Sequence, residues 1–116
     1  MAELNIAIAD DNRQTLEMLG EILESEKDYH VVGKADNGNE AYNMIMRTKP
    51  DVVLLDIVMP GMDGISVMEK VKSNEEFKEN TSFIMVTAAS SENLTADAFK
   101  LGASYYIMKT FTRDSV

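Results

Sequence analysis

Reactive side chains stand at the carboxyl ends of short apolar runs in this sequence. They are Asp10, Asp11, Asp56, Thr87 and Lys109. Carboxylates that share a partly dry pocket repel one another unless a cation neutralises them. An all-oxygen set suits a hard ion such as Mg²⁺, while a hydroxyl and an ammonium group can hold phosphoryl oxygens. The pattern therefore predicts a magnesium-dependent phosphoryl site.

Alternating strands and helices would bring these residues to one edge of a sheet. The apolar runs predict strands at 4–9, 29–35, 52–56, 82–87 and 105–108. Helical spacing, capping residues and breakers predict helices at 13–26, from Asn37 to before Lys49, from Asp63 to about Ser73, and at 92–101. This order predicts an α/β fold with parallel strands and right-handed crossovers. Ligands of such sheets bind beyond the carboxyl ends of the strands.

Size and charge limit the possible functions further. The chain has 116 residues, a net charge of −9, 45% apolar residues and no cysteine. This composition predicts a single domain with a core and without disulfides or cysteine-bound metals. The negative charge argues against direct contact with nucleic acid or anionic membranes. With no leader pattern and no long apolar span, the sequence is typical of a cytoplasmic protein.

The spaced motifs resemble the receiver domain of bacterial response regulators over nearly the whole chain. The resemblance rests on Asp10-Asp11, on the run 53–64, on Val86-Thr87-Ala88 and on Lys109. It implies a doubly wound five-stranded sheet of the flavodoxin-like order 2-1-3-4-5. It also implies a regulatory phosphoacceptor, not an enzyme, that receives phosphate from a histidine kinase or a histidine phosphotransferase.

The same resemblance implies a role for each site residue. Asp56 would be the phosphoacceptor, and Mg²⁺, or Mn²⁺ or Ca²⁺ in its place, would be bound by Asp11, Asp56 and the backbone carbonyl of Val58, with Asp10 assisting directly or through water. Thr87, Ala88 and Lys109 would contact the phosphoryl group, and Tyr106 would be the switch aromatic. Residues 1–116 would form one receiver domain, with the family's fifth helix missing or truncated. That loss would expose apolar surface and favour a homodimer, including one that exchanges elements.

Within the family, three segments are most similar to the sporulation regulators of spore-forming bacteria. They are 9–12, 55–60 and 101–107. This similarity implies that the chain is an N-terminal fragment and that its own C-terminal DNA-binding domain lies outside the sequence.

Departures from the family pattern keep other functions open. Thr110 follows Lys109 where the family usually has proline, and a cis peptide bond before threonine costs about 2.5–4 kcal/mol. A displaced Lys109 would favour a phosphate-independent docking or dimerisation module. A magnesium-dependent aspartyl-phosphate hydrolase is a weaker alternative, because Asp11-Asn12-Arg13 lacks the second aspartate of Asp-x-Asp. The chain also lacks the glycine-rich motifs of nucleotide-binding folds.

Two further predictions concern single positions. Val58 and Ala89 flank the expected site and offer no carboxylate or amide to position water, so phosphoaspartate hydrolysis should be slow. His30 lies at a strand start without a partner pattern, which predicts a structural role.

Overall fold

The structure, a computed structural model, describes residues 3–74, 81–87 and 105–108, with only the backbone described at Thr87 and 105–108. The strands are Leu4–Ala9 (β1), Tyr29–Ala35 (β2), Val52–Asp56 (β3), Ser82–Thr87 (β4) and Tyr105–Met108 (β5). The helices are Arg13–Glu24 (α1), Gly38–Thr48 (α2) and Gly64–Lys72 (α3). The predicted helix at 92–101 and the question of a fifth helix lie outside the described residues.

The strands pair in parallel in the order β2-β1-β3-β4-β5. This confirms the α/β fold, the parallel sheet and the predicted order. Strand β1 lies between β2 and β3, and β3 lies between β1 and β4. The strand order therefore reverses between β1 and β3, where ligands bind in open α/β sheets.

Two apolar layers cover the sheet, because successive side chains of a strand point to opposite faces. On one face, Ala7 of β1, Leu55 of β3 and Phe83 of β4 pack with buried side chains of α2 and α3. On the other face, Ile8 and Leu54 pack against α1. Burial on both faces explains why β3 has a continuous apolar sequence.

Local capping fixes the beginnings of the three helices within the described residues. The side-chain oxygens of Asn12, Asn37 and Asp63 accept hydrogen bonds from the backbone N–H groups of Thr15, Glu40 and Ser66 at 3.1, 2.9 and 2.8 Å. The predicted caps at Asn37 and Asp63 are thus confirmed.

Helix α1 is shorter than predicted and ends at Glu24 instead of Glu26. The N–H of Glu26 donates to the carbonyl of Leu23 at 3.1 Å, and the Ser25 hydroxyl donates to the carbonyl of Ile22 at 2.6 Å. These three-residue bonds tighten the last turn and end the helix, and periodicity alone does not reveal them.

Among the described residues, no helix combines the length and the apolar character that a membrane span requires.

Candidate acidic site at the sheet edge

The carboxyl ends of β1 and β3 place two aspartates side by side. Ala9 of β1 pairs with Leu55 of β3, and the next residues along the two strands are Asp10 and Asp56. Both are buried, with 1% of Asp10 and 3% of Asp56 exposed. Burial of two adjacent carboxylates at a strand edge has no packing rationale, because uncompensated charge is costly to bury.

A third carboxylate, from the exposed Asp11, completes the group. One carboxylate oxygen from each of Asp10, Asp11 and Asp56 lies within 4.8 Å of the others. Two oxygens that each bind one Mg²⁺ at about 2.1 Å lie at most about 4.2 Å apart. At least two of the three oxygen pairs must be neighbours in the octahedral shell of Mg²⁺, about 3.0 Å apart, so the side chains need to close by up to about 1.8 Å to share such an ion. Their oxygen chemistry, charge and spacing all fit a hard divalent cation.

Asp10 is held by backbone hydrogen bonds on two sides. Its N–H donates to the carbonyl of Ala35 at the end of β2, at 3.0 Å, and its Oδ1 accepts from the N–H of Asn12 at 2.8 Å. Because Asn12 also caps α1, the orientation of the carboxylate is tied to the start of that helix. The sequence did not lead us to predict Asn12 as a helix cap. An asparagine directly before a helical pattern is nevertheless a typical signal for a cap.

Asp56 is positioned by the loop at 57–63 and by the start of α3. Its Oδ1 accepts a hydrogen bond from the N–H of Val58 at 3.2 Å. The loop closes through a 2.7 Å hydrogen bond from the N–H of Gly64 to the carbonyl of Ile57. A Cβ atom at Gly64 would overlap the backbone carbonyl oxygen of Asp56, so only glycine permits this approach of α3.

The side chain of Val58 is 58% exposed and lies at the surface beside Asp56. A cleft of about 300 Å³ adjoins this loop and is lined by Ile57, Val58, Met59, Asp63, Ile65 and Ser66. The lining is mostly apolar on the loop side, so the surface next to the carboxylates combines charge with exposed hydrophobic area.

The remaining predicted residues lie on or beyond β4 and β5. Thr87 follows Val86, which pairs with Asp56, and Thr87 itself pairs with Met108. Tyr106 pairs with Met85. The backbone register thus brings Thr87 to the same edge as Asp56. The predicted residues Ala88 and Lys109 lie outside the described residues.

His30 lies at the other end of the sheet. It pairs with Asn5 near the start of β1, and its Nε2 lies 2.7 Å from Oε2 of Glu3. Both side chains are about half exposed. The position is remote from the acidic group.

An open parallel sheet with helices on both faces and an acidic group at its switch point defines a doubly wound α/β domain whose carboxylates fit a divalent cation. A family model described as the response regulator receiver domain matches residues 6–116, and the chain belongs to this family. Receiver domains are the regulatory phosphoacceptors of two-component systems, and they interact with histidine kinases and with output domains.

Solved structures agree with this assignment over almost the full chain. The signal receiver domain of NarL from Mycobacterium tuberculosis is 31% identical, with a TM-score of 0.89, covering 99% of this chain and 90% of that one. A chain in the CheX-CheY-BeF3-Mg²⁺ complex from Borrelia burgdorferi is 32% identical, with a TM-score of 0.86 and coverage of 97% and 83%. The response regulator domain of CheB from Thermotoga maritima is 30% identical, with a TM-score of 0.85 and coverage of 96% and 81%.

Proposed function

We propose that this receiver is a phosphorylation switch in which Asp56 accepts the phosphoryl group. The observation that carries this proposal is the position of Asp56, buried at the end of β3 within the group of three carboxylates. The hydrogen bond from Val58 to Oδ1 holds the carboxylate in one orientation before reaction. A preorganised nucleophile avoids the entropic cost of orientation during transfer.

In the proposed reaction, a carboxylate oxygen of Asp56 attacks the phosphorus of a phosphohistidine. The new O–P bond forms as the N–P bond breaks, and the leaving imidazole keeps the electron pair and takes up a proton. The product is an acyl phosphate on Asp56 and a neutral histidine on the donor. The donor class is a histidine kinase or a histidine phosphotransferase.

Mg²⁺ is the proposed cofactor, and Asp10, Asp11, Asp56 and the backbone carbonyl of Val58 are the proposed ligands. When bound, the ion would supply positive charge that offsets repulsion between the carboxylates and the incoming phosphoryl group. The proposed roles of Thr87, Ala88 and Lys109 are to bind phosphoryl oxygens, and that of Tyr106 is to change packing in response. The register that pairs Val86 with Asp56 supports the role of Thr87.

The proposed output is transcription control of the sporulation type, exerted in the cytoplasm through a DNA-binding domain. The similarity of 9–12, 55–60 and 101–107 to sporulation regulators supports this finer assignment. A similar chain occurs in a DNA-binding response regulator of the LuxR family from Staphylococcus aureus, which is 25% identical with a TM-score of 0.86. That protein is an example of a receiver-like chain in a DNA-binding regulator.

The test is phosphorylation followed by intact-mass measurement. The wild type, Asp56→Asn and the control Asp28→Asn are incubated with Mg²⁺ and acetyl phosphate. We expect the wild type and Asp28→Asn to gain one phosphoryl group and Asp56→Asn to gain none. The control residue lies before β2, at the other end of the sheet.

The other outcomes identify the competing functions. A wild type that gains no phosphoryl group would support a phosphate-independent docking module. Continuous release of inorganic phosphate without a stable adduct would support an aspartyl-phosphate hydrolase.

A further inference from the structure

The start of helix α2 contacts the loop that follows Asp56. The N–H of Gly38, the first residue of α2, donates to the carbonyl of Pro60 at 3.2 Å. A Cβ atom at Gly38 would overlap the carbonyl oxygen of Met62 and would lie 2.6 Å from its carbonyl carbon. These are backbone atoms, so no side-chain rotation can relieve the overlap.

Helix α2 is anchored in the core, whereas the part of the loop that it contacts is not: Ile57 and Met59 are buried, but Pro60 and Gly61 are exposed and Met62 is half-buried. Asn37 caps its first turn, and Ala41, Met44 and Ile45 are buried in the core between α2, α3 and the sheet. Gly61 of the loop has a φ of +83° and faces the amide of Asn39. A side chain at position 38 would therefore displace the loop in preference to the helix.

The displaced atoms are directly linked to the acidic group. The loop begins immediately after Asp56, and the N–H of Val58 holds Oδ1 of that residue. Within the loop, the N–H of Met62 donates to the carbonyl of Pro60 at 3.0 Å, so Pro60 and Met62 move together. Only Met59 separates Pro60 from Val58, so movement of Pro60 is transmitted to Val58.

We infer that Gly38 is a positioning residue: by allowing α2 to pack against the backbone of Pro60 and Met62, it sets the loop geometry that binds Mg²⁺ beside Asp56. This inference rests on the proposed function. Helix α2 contributes none of the predicted site residues, but under this inference its packing controls the affinity of the site for Mg²⁺.

The first experiment compares Gly38→Ala with the matched control Gly20→Ala in the full chain. At Gly20, a Cβ atom would meet only the Cε and Nζ atoms of Lys34, at 2.7 and 2.8 Å, and this side-chain end can move away. Helix propensity alone favours alanine over glycine at both positions. We expect Gly38→Ala to weaken Mg²⁺ binding roughly ten-fold, as changes to residues supporting metal ligands commonly do.

Two readouts separate positioning from simple destabilisation. Isothermal titration calorimetry with MgCl₂ gives the dissociation constant without any phosphodonor. Phosphorylation rates with acetyl phosphate at increasing Mg²⁺ should then show a raised half-saturation concentration and a rate at saturating Mg²⁺ within about two-fold of wild type. Partial unfolding in equilibrium would also weaken apparent Mg²⁺ binding, by the folded fraction, so circular dichroism first establishes that Gly38→Ala is more than about 90% folded without Mg²⁺. Irreversibly misfolded protein would instead lose amplitude at an unchanged dissociation constant.

The second experiment needs no variant. If the loop geometry set by α2 favours the metal, Mg²⁺ must in return favour the contact between Gly38 and Pro60. Hydrogen exchange of the Gly38 amide should therefore slow when Mg²⁺ is added. The amide of Tyr29, which donates to Glu26 at the same 3.2 Å distance at the far end of the sheet, is the matched control and should not change.

Each outcome decides a specific point. Weaker Mg²⁺ binding in Gly38→Ala together with slower Gly38 exchange in the wild type supports the inference. Unchanged Mg²⁺ affinity in a folded Gly38→Ala, or Gly38 exchange that does not respond to Mg²⁺, overturns it and leaves the proposed function intact. If Gly38→Ala does not fold, the exchange measurement on the wild type decides alone. A wild type that binds no Mg²⁺ overturns the proposed cofactor, and this inference with it.

Discussion

Asp10 and Asp56 are adjacent buried carboxylates that extend from two paired parallel strands. Because Ala9 and Leu55 pair in register, the residues that follow them reach the same edge, with 1% and 3% of their surface exposed. Burial strengthens the repulsion between these two carboxylates because little water screens their charges, and the negative charge of the exposed Asp11 adds to the repulsion. The arrangement therefore costs stability that a bound cation would recover.

Mg²⁺ should stabilise the folded protein. A ligand that binds only the native state raises the free energy of unfolding by about 2.7 kcal/mol at one hundred times its dissociation constant. Urea denaturation followed by circular dichroism, in MgCl₂ and in NaCl of equal ionic strength, measures this difference. Equal midpoints in the two salts would contradict the proposed metal site.

Asp56→Asn should stabilise the protein without Mg²⁺ and remove most of the stabilisation that Mg²⁺ provides. The neutral amide relieves repulsion with Asp10, and its oxygen can still accept the hydrogen bond from Val58. We expect a gain of about 1 kcal/mol in the free energy of unfolding, on the scale of one close charge pair that keeps some solvent screening. The control Asp28→Asn should leave both the stability and the Mg²⁺ increment near their wild-type values. A destabilised Asp56→Asn would show that the carboxylate has a structural role.

Gly64→Ala should destabilise the protein and displace Asp56. The added Cβ would overlap the carbonyl oxygen of Asp56, which is backbone and cannot rotate away. Overpacking of this kind costs about 1–3 kcal/mol. Denaturation beside Gly20→Ala, whose new methyl group displaces only the end of Lys34, isolates the effect of the close approach. If the two variants had equal stability, the approach of α3 would not depend on glycine.

Val58→Gln should shorten the lifetime of the phosphorylated protein. Val58 is exposed, so the change should alter the free energy of unfolding by less than about 0.5 kcal/mol. A glutamine beside Asp56 supplies an amide that can orient an attacking water, and we expect dephosphorylation roughly ten-fold faster than in the wild type.

The measurement is loss of the phosphoryl adduct by intact mass after the phosphodonor is removed. The control is Val32→Gln, which changes an exposed valine on β2, away from the acidic group. Equal lifetimes in wild type and Val58→Gln would argue against a role for this position in hydrolysis.

Local sequence determined most of the secondary structure. The strand at 52–56 is an apolar run, 52–55, that follows Asp51 and ends at Asp56 before a loop with Pro60 and Gly61. Its short length and its turn residues favour a buried strand over a buried helix. Asn37 and Asp63 cap helices because their side chains reach backbone N–H groups three residues away. These interactions span a few residues, so the sequence contains everything needed to predict them.

Other features depend on contacts between distant parts of the chain. The contact between Gly38 and Pro60 joins residues far apart in sequence, and only the packing of α2 against α3, β1 and β2 brings them together. No periodicity or motif in the sequence predicts this contact.

The two consecutive aspartates, Asp10 and Asp11, differ in burial, and only the tertiary structure reveals this difference. Residue types and positions predicted that Asp10 and Asp11 belong to one acidic group with Asp56, and the family resemblance implied direct metal binding by Asp11 and assistance by Asp10, but neither showed which of the two is buried. The tertiary structure buries Asp10 and leaves Asp11 exposed. The reason is that Asp10 continues β1 between its two neighbouring strands, with its N–H bound to Ala35, while the chain turns outward at the next residue to begin α1.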